Sequence, residues 1–491
     1  MTLTAYLEQK SPPPKYPAFI EANSNRTVTY EEFWESVRQL AVSLRRLGFQ
    51  PGERVVVALP NSVAWVTSFL ALLKVGGIVI PLRQSATPSE LKQVITHVKP
   101  SLFITDSAFI NRSLPFDLLD VKEQVVIFSK RFMVRTRASK RISHFDKLFG
   151  HGYPAEFATS STPPSQPVAS IHYTFRGYGY PLGAALTHEN FVNGITTYVQ
   201  TAGLCENQRF LAALPFSHTY PLVGCLLAPL AVSGTVIITQ NSSGQCIWEA
   251  IQRYQPNVLT GVPAMYTSLL RTTSSSAELN VEEAICGGSI MPVSLYEQFY
   301  RRWYVSLRQG YGLTECLPVT CNPSRGNRPE TLGKVVVGVD GVDVKVFGEG
   351  SQEKPVGEVG EIVVRGPTVM AGYYAMSRET SEAIRDGWFY SGDYGWFDRD
   401  GYLHFAGVKK RIAKVGGNMV DLAEVEREIL ACPNVLRVKV YTVPDKKFGE
   451  LVNADITYRD GVPHDESTIR RYLKNRLASY KVPFLQSLKC A

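Results

Sequence analysis

The chain has 491 residues, enough for two or three domains with an ample buried core. Hydrophobic content of 44% and charged content of 20% are ordinary for a soluble globular protein. The net charge of +8 is spread over a long chain; it points at most to acidic partners, and no nucleic-acid motif accompanies it. The eight cysteines form no Cys-x-x-Cys pair and no Cys/His cluster with zinc spacing, so they read as reduced thiols of a cytoplasmic protein, most of them in the core. The N-terminus lacks an apolar signal core.

In chain order, VTYEEFWESVRQLAVSLRRLGF (28–49) predicts a helix capped by Thr29, with apolar residues at helical spacing. A Pro-Gly turn leads to a strand, RVVVALP (54–60), then a helix, SVAWVTSFLALLKVG (62–76), and a strand, GIVIPL (77–82). ELKQVITHV and SLFITD repeat the order over 90–106. Such alternation implies a parallel sheet with helices on its faces. No period of solenoid length recurs.

The stretch 128–147 is dense in Lys and Arg; it reads as a solvated loop or as a docking patch for an acidic acyl carrier protein or coenzyme phosphates. Residues 171–190, IHYTFRGYGYPLGAALTHEN, set Gly177, Gly179 and Gly183 around Pro181 in an expected strand–loop–helix, a common place for a phosphate. The run 219–240 is long enough to cross a membrane, but Pro221, Pro229 and Ser233-Gly234 break it, which predicts a buried helix and a buried strand rather than a membrane span. Beyond residue 330 come short β-like runs: VDVKVF, GEIVVRG, GYLHFAG and LRVKVYTV. Helical patterns at 421–432 and 465–480 complete a small α/β unit. The expected organisation is a large domain over 1–406, a hinge at 407–410 and a small domain over 411–491.

Nine segments in order carry a resemblance: YTFRGYGYPLGAALTHEN, PFSHTY, GVPAMY, CGGSIMP, QGYGLTE, GEVGEIVVRGP, GYY, DGWFYSGDYG and GYLHFAGVKKRIAKVGGNMVDLAEVE. Together they resemble the motif series of the AMP-forming acyl- and aryl-acid–CoA ligase superfamily, over roughly residues 25–483. The resemblance implies an α/β fold: a large N-terminal domain with parallel-rich sheets and a β-rich subdomain, and a small mobile C-terminal α/β domain. It implies that Thr174, Gly179, Tyr311, Gly312, Thr314 and Asp393 form the nucleotide site, with Asp393 on the ribose, and that Glu315 holds Mg²⁺, a cation suited to a hard carboxylate oxygen. Tyr220, Gly287, Gly288, Ser289 and Gly310 would line the acyl pocket, and His218 would stand beside the acyl carbonyl. Lys410 takes the hinge position, and Lys414, Gly416 and Gly417 the face that receives coenzyme A or pantetheine. Cys286 and Cys316 flank two of these motifs, as pocket lining or, in a covalent route, as acyl carriers.

Three departures stand out. The phosphate loop has Phe175, Arg176, Gly177 and Tyr178 where the family favours hydroxyls and glycine, and Leu182 replaces a lysine. Arg176 offers a cation at a different point of the loop. Val408 replaces an arginine that would reach the ribose. The family's catalytic lysine lies well beyond Lys-Val-Pro; here the sequence stops at Ala491, and Lys489 is too close to Pro483 to match. Loss of one such donor costs about 10²–10³ in rate. The expectation is therefore an enzyme that transfers an acyl group between coenzyme A and a carrier-protein phosphopantetheine, with adenylation impaired. The alternatives are an ATP- and Mg²⁺-dependent acid–CoA ligase with a modified loop, and a silent protein that binds an acyl thioester or acyl adenylate.

Overall fold

Several helices begin where the sequence supplies a cap. Thr29 accepts from the Glu32 N–H at 3.2 Å and Glu32 returns a bond to the Thr29 N–H at 2.8 Å, which starts the helix Tyr30–Arg46; a cap of this kind contributes about 1 kcal/mol. Thr87 and Glu90 repeat the device for Pro88–Val98. The computed structural model describes residues 1–106, 108–109, 124–128, 142–144, 167–239, 241–274, 278–335, 342–408, 412–432, 434–458 and 466–488. Most of the basic stretch 128–147, and Lys410 and Lys489, lie outside them.

Two of the sheets form the main body of the large domain. One carries the strands Ile78–Pro81, Arg54–Ala58 and Leu102–Asp106 in parallel, with Val168–Thr174 beside them. The other runs in parallel through Pro17–Glu21, Thr235–Ile238, Arg209–Ala212, Val258–Gly261, Glu283–Cys286 and Leu307–Leu313. Alternate residues of one strand serve opposite faces. Val55 and Val57 join the central core with Val236 and Ile238, whereas Val56 and Ala58 pack under Leu91, Val94 and Ile95. The helix Val63–Lys74, apolar except for Thr67, Ser68 and the terminal Lys74, packs into the central core, with Trp65 stacked on Phe69 at 5.2 Å. Each such buried side chain contributes about 1.5–3 kcal/mol.

The described part of the run 219–240, residues 219–239, is a buried helical segment and a strand, as its prolines predict, with a π-helical centre at Leu222–Leu227. No described helix is long and apolar enough to cross a membrane. The loop after Val168–Thr174 departs from expectation: Leu182–Thr187 is a strand that returns antiparallel to the first, and the helix His188–Ala202 starts only after it. The small residues of LGAALT suit a sheet interior, and Leu182 is fully buried there.

A third sheet, around Asp343–Phe347, Gly360–Arg365, Trp388–Phe397 and Leu403–Val408, matches the β-rich stretch read from the sequence. The small domain has its own core: Val425 and Ile429 of the helix Leu422–Leu430 pack on Val440, Val452 and Ile456 of its sheet. The fold is the α/β arrangement of a large N-terminal and a small C-terminal domain.

Candidate active site

A cavity of about 550 Å³ opens between the two domains. The strand Leu307–Leu313 delivers Tyr311 and Gly312 to it; a tight antiparallel return through Leu317–Cys321 brings Thr314 and Glu315 to the same wall. A Cβ on Gly312 would lie 2.3 Å from the Leu317 carbonyl oxygen, so that return needs glycine. The Tyr311 hydroxyl donates to Asp393 Oδ2 at 2.8 Å, and burial, then the Asp393 charge, push the phenol far above its ordinary range. Val408 pairs with Asp393 across the sheet and lines the cavity, a methyl surface where the resemblance has a guanidinium.

At the other end, Tyr220 lies across Gly287: a Cβ there would come within 2.8 Å of its ring. His218 lines the cavity and is exposed within it; the surrounding protein, then the Arg83 charge, lower its pKa below the ordinary histidine value. At neutral pH it is an uncharged donor and acceptor. Gly310 also lines the cavity. Ser289 does not, because Gly288 turns the chain at φ 76° and leaves the serine half-exposed. Cys286 and Cys316 are fully buried, outside the lining, with thiols raised by burial. Neither the pocket-lining nor the acyl-carrier role fits them.

The small domain closes the cavity with Lys414, Gly416 and Gly417. Gly417, at φ 86°, faces Val262, which also approaches Gly288. Two left-handed glycines thus meet across one valine, where any larger residue would be strained and would narrow the gap.

The phosphate loop behaves differently. Gly179 N–H donates to Asp421 Oδ2 of the small domain at 2.9 Å, and Arg427 donates to the Gly179 carbonyl. The Tyr178 and Tyr180 hydroxyls bond Glu382 and Glu379 of the helix Ser377–Ala383 at 2.5 and 2.6 Å. Thr174 is buried with its hydroxyl 3.8 Å from Met419 Sδ. Arg176 turns inward: Nη1 lies 3.5 Å from Glu315 Oε1, Nη2 donates to the Tyr390 carbonyl at 2.5 Å, and the guanidinium covers Phe389 at 4.8 Å. The Tyr373 hydroxyl donates to the same Glu315 oxygen at 2.8 Å. Burial alone would weaken the Arg176 charge; Tyr373 and Glu315 outweigh it and hold the guanidinium protonated. A magnesium ion at Glu315 would have to share this carboxylate with a buried cation of like sign, and the residues as arranged do not fit it.

Sequence reasoning missed Lys481, read only as a landmark. It is 0% exposed, bonds Glu424 at 2.8 and 3.1 Å and Glu90 at 2.9 Å, and lies 4.1 Å from the Phe175 ring. Burial opposes ionisation of Glu90, but Lys481 and Arg83 win and lower its pKa to about 2. The Phe175 ring that it approaches lies 306 residues earlier in the chain.

With this geometry, residues 7–374 match the family described as AMP-binding enzyme. The chain belongs to that family. It is 31% identical over 464 residues to a feruloyl-CoA synthase of an Amycolatopsis species, covering 93% of this chain and 89% of that protein. It is 27% identical over 485 residues to a long-chain-fatty-acid–CoA ligase of Bacillus subtilis, covering 93% and 86%. ATP-bound MatB from Rhodopseudomonas palustris is similar with a TM-score of 0.73 at 28% identity, over 99% of this chain and 95% of that one. The chain is thus a member of the adenylate-forming acid–thiol ligases.

Proposed function

We propose that the protein is an AMP-forming acid–CoA ligase for an apolar acyl or aryl acid. The observation that supports it is that one cavity is lined at once by Tyr311 and Asp393, by His218, and by Gly416 and Gly417. A carboxylate oxygen attacks the α-phosphorus of ATP and pyrophosphate leaves; the coenzyme A sulfur then attacks the acyl carbon and AMP leaves. Asp393 accepts from the ribose hydroxyls and is held by Tyr311. Neutral His218 orients the acyl carbonyl without adding charge. Gly288 and Gly417 pass the pantetheine arm. Likeness to a feruloyl-CoA synthase favours an aryl acid.

A second reading, acyl transfer between coenzyme A and a carrier-protein thiol with adenylation impaired, is favoured by the Arg176–Glu315 pair and by the loop N–H given to Asp421. The experiment incubates the protein with aryl and acyl acids, ATP, magnesium and coenzyme A, and in parallel with acyl-CoA and a phosphopantetheinylated carrier protein without ATP. Acyl-CoA and AMP in the first are expected. Acyl-carrier in the second, with none in the first, replaces the ligase reading with transfer.

A further inference from the structure

We propose that Arg176 is a resident cation standing in for a divalent metal at Glu315, so that the cavity binds a nucleoside monophosphate, alone or as the AMP half of an acyl adenylate, without magnesium. The inference rests on reading the cavity as an adenylate site.

Two independent observations carry it. First, the carboxylate that a metal would need is already satisfied. Glu315 is 2% exposed and Arg176 9% exposed, and Tyr373 and Arg176 address the same Oε1 atom. The guanidinium is itself fastened, by the Tyr390 carbonyl and the Phe389 ring, so it is a fixed part of the wall. Both side chains line the cavity together with Gly312, Thr314 and Asp393. A guanidinium carries five N–H donors, more than these contacts use, and suits phosphate oxygens. Second, the loop that would wrap the outer phosphates is engaged elsewhere. Its Gly179 N–H meets a carboxylate of the small domain, and its tyrosines are tied to Glu379 and Glu382. With the small domain in this position, the site suits a ligand with one phosphate. Charge at that phosphate comes from the chain, so a chelator cannot remove it.

The test is calorimetric titration of the full chain with AMP, in EDTA and in magnesium. Wild-type affinity should agree between the two buffers within about twofold, and Arg176→Gly should bind about tenfold to a hundredfold more weakly in EDTA, the scale of a lost charged hydrogen bond. Magnesium should restore part of that loss, because Glu315 is then free to hold the ion. Glu315→Gln, which removes one charge and keeps the shape, should still bind AMP in EDTA. It carries the test where Arg176→Gly fails to fold. Wild-type binding that tightens about tenfold with magnesium and loses this gain in Glu315→Gln overturns the inference and leaves the adenylate site standing. Absence of AMP binding in both buffers overturns the adenylate reading and this inference with it.

Discussion

The two ends of the cavity are built on opposite plans. At the loop end, among the described residues, Arg176 pairs with Glu315, Lys481 with Glu90 and Glu424, and the Gly179 N–H donates to Asp421. At the opposite end Gly288, Val262, Gly416 and Gly417 line the cavity, with Lys414 and Lys447 beside them. Buried charges specify one arrangement strongly, because breaking a pair leaves an ion without solvent. Glycine backbone specifies space and leaves the contacts to the ligand. The comparison teaches that one cavity can be walled by paired charges at one end and by glycine backbone at the other.

The largest effect should come from the charged end. Lys481→Met leaves Glu90 and Glu424 buried around a methyl group and should cost about 3–5 kcal/mol, read by denaturant unfolding. A change below 1 kcal/mol, about the value of an exposed pair, would show that water reaches this cluster and that the two ends differ less than argued.

Acidification should give the next effect. His172 is buried beside Phe191, and burial, only partly opposed by Ser217, lowers its pKa to about 3. The unfolded chain takes up this proton first, near the ordinary histidine value of about 6.5. The contribution is therefore complete above about pH 6.5 and is lost as pH falls toward 3. His188, lowered to about 4 by burial, acts in the same direction. Stability should drop by about 2 kcal/mol from His172 alone between about pH 7 and pH 5. A flat profile would mean that the histidines are charged in the native state.

The smallest loss of stability belongs to the open end. Gly417→Ala places a Cβ at φ 86° and should cost about 1–2 kcal/mol. Its sharper readout is functional: thioester formation from coenzyme A should slow while AMP affinity stays unchanged. An equal fall in AMP affinity would show that the two ends are one coupled surface.

Much of this was legible from local chemistry. Thr29 and Thr87 mark helix starts because a hydroxyl followed by Glu three residues on satisfies free backbone donors. Apolar runs such as 54–58 mark strands buried on both faces. Tyr311, Asp393, His218 and Gly417, each from a different one of the ordered motifs, line one cavity. Leu182–Thr187 escaped because six small or aliphatic residues suit either a strand or the lead into a helix until Tyr173 and Thr174 offer a pairing edge. Ser289 was misplaced because one left-handed glycine redirects the chain after it.

Element identity and capping follow from interactions a few residues apart, which the order of residues states directly. The partners of Arg176 and Lys481 lie 139 and 57 residues away or more, and no local pattern links them. Their charges were visible in the chain; whether each would face water, a phosphate or a carboxylate depended on which of these was left within reach once the apolar cores had closed. A buried charge is stable only beside its counter-charge, and packing chose the counter-charge.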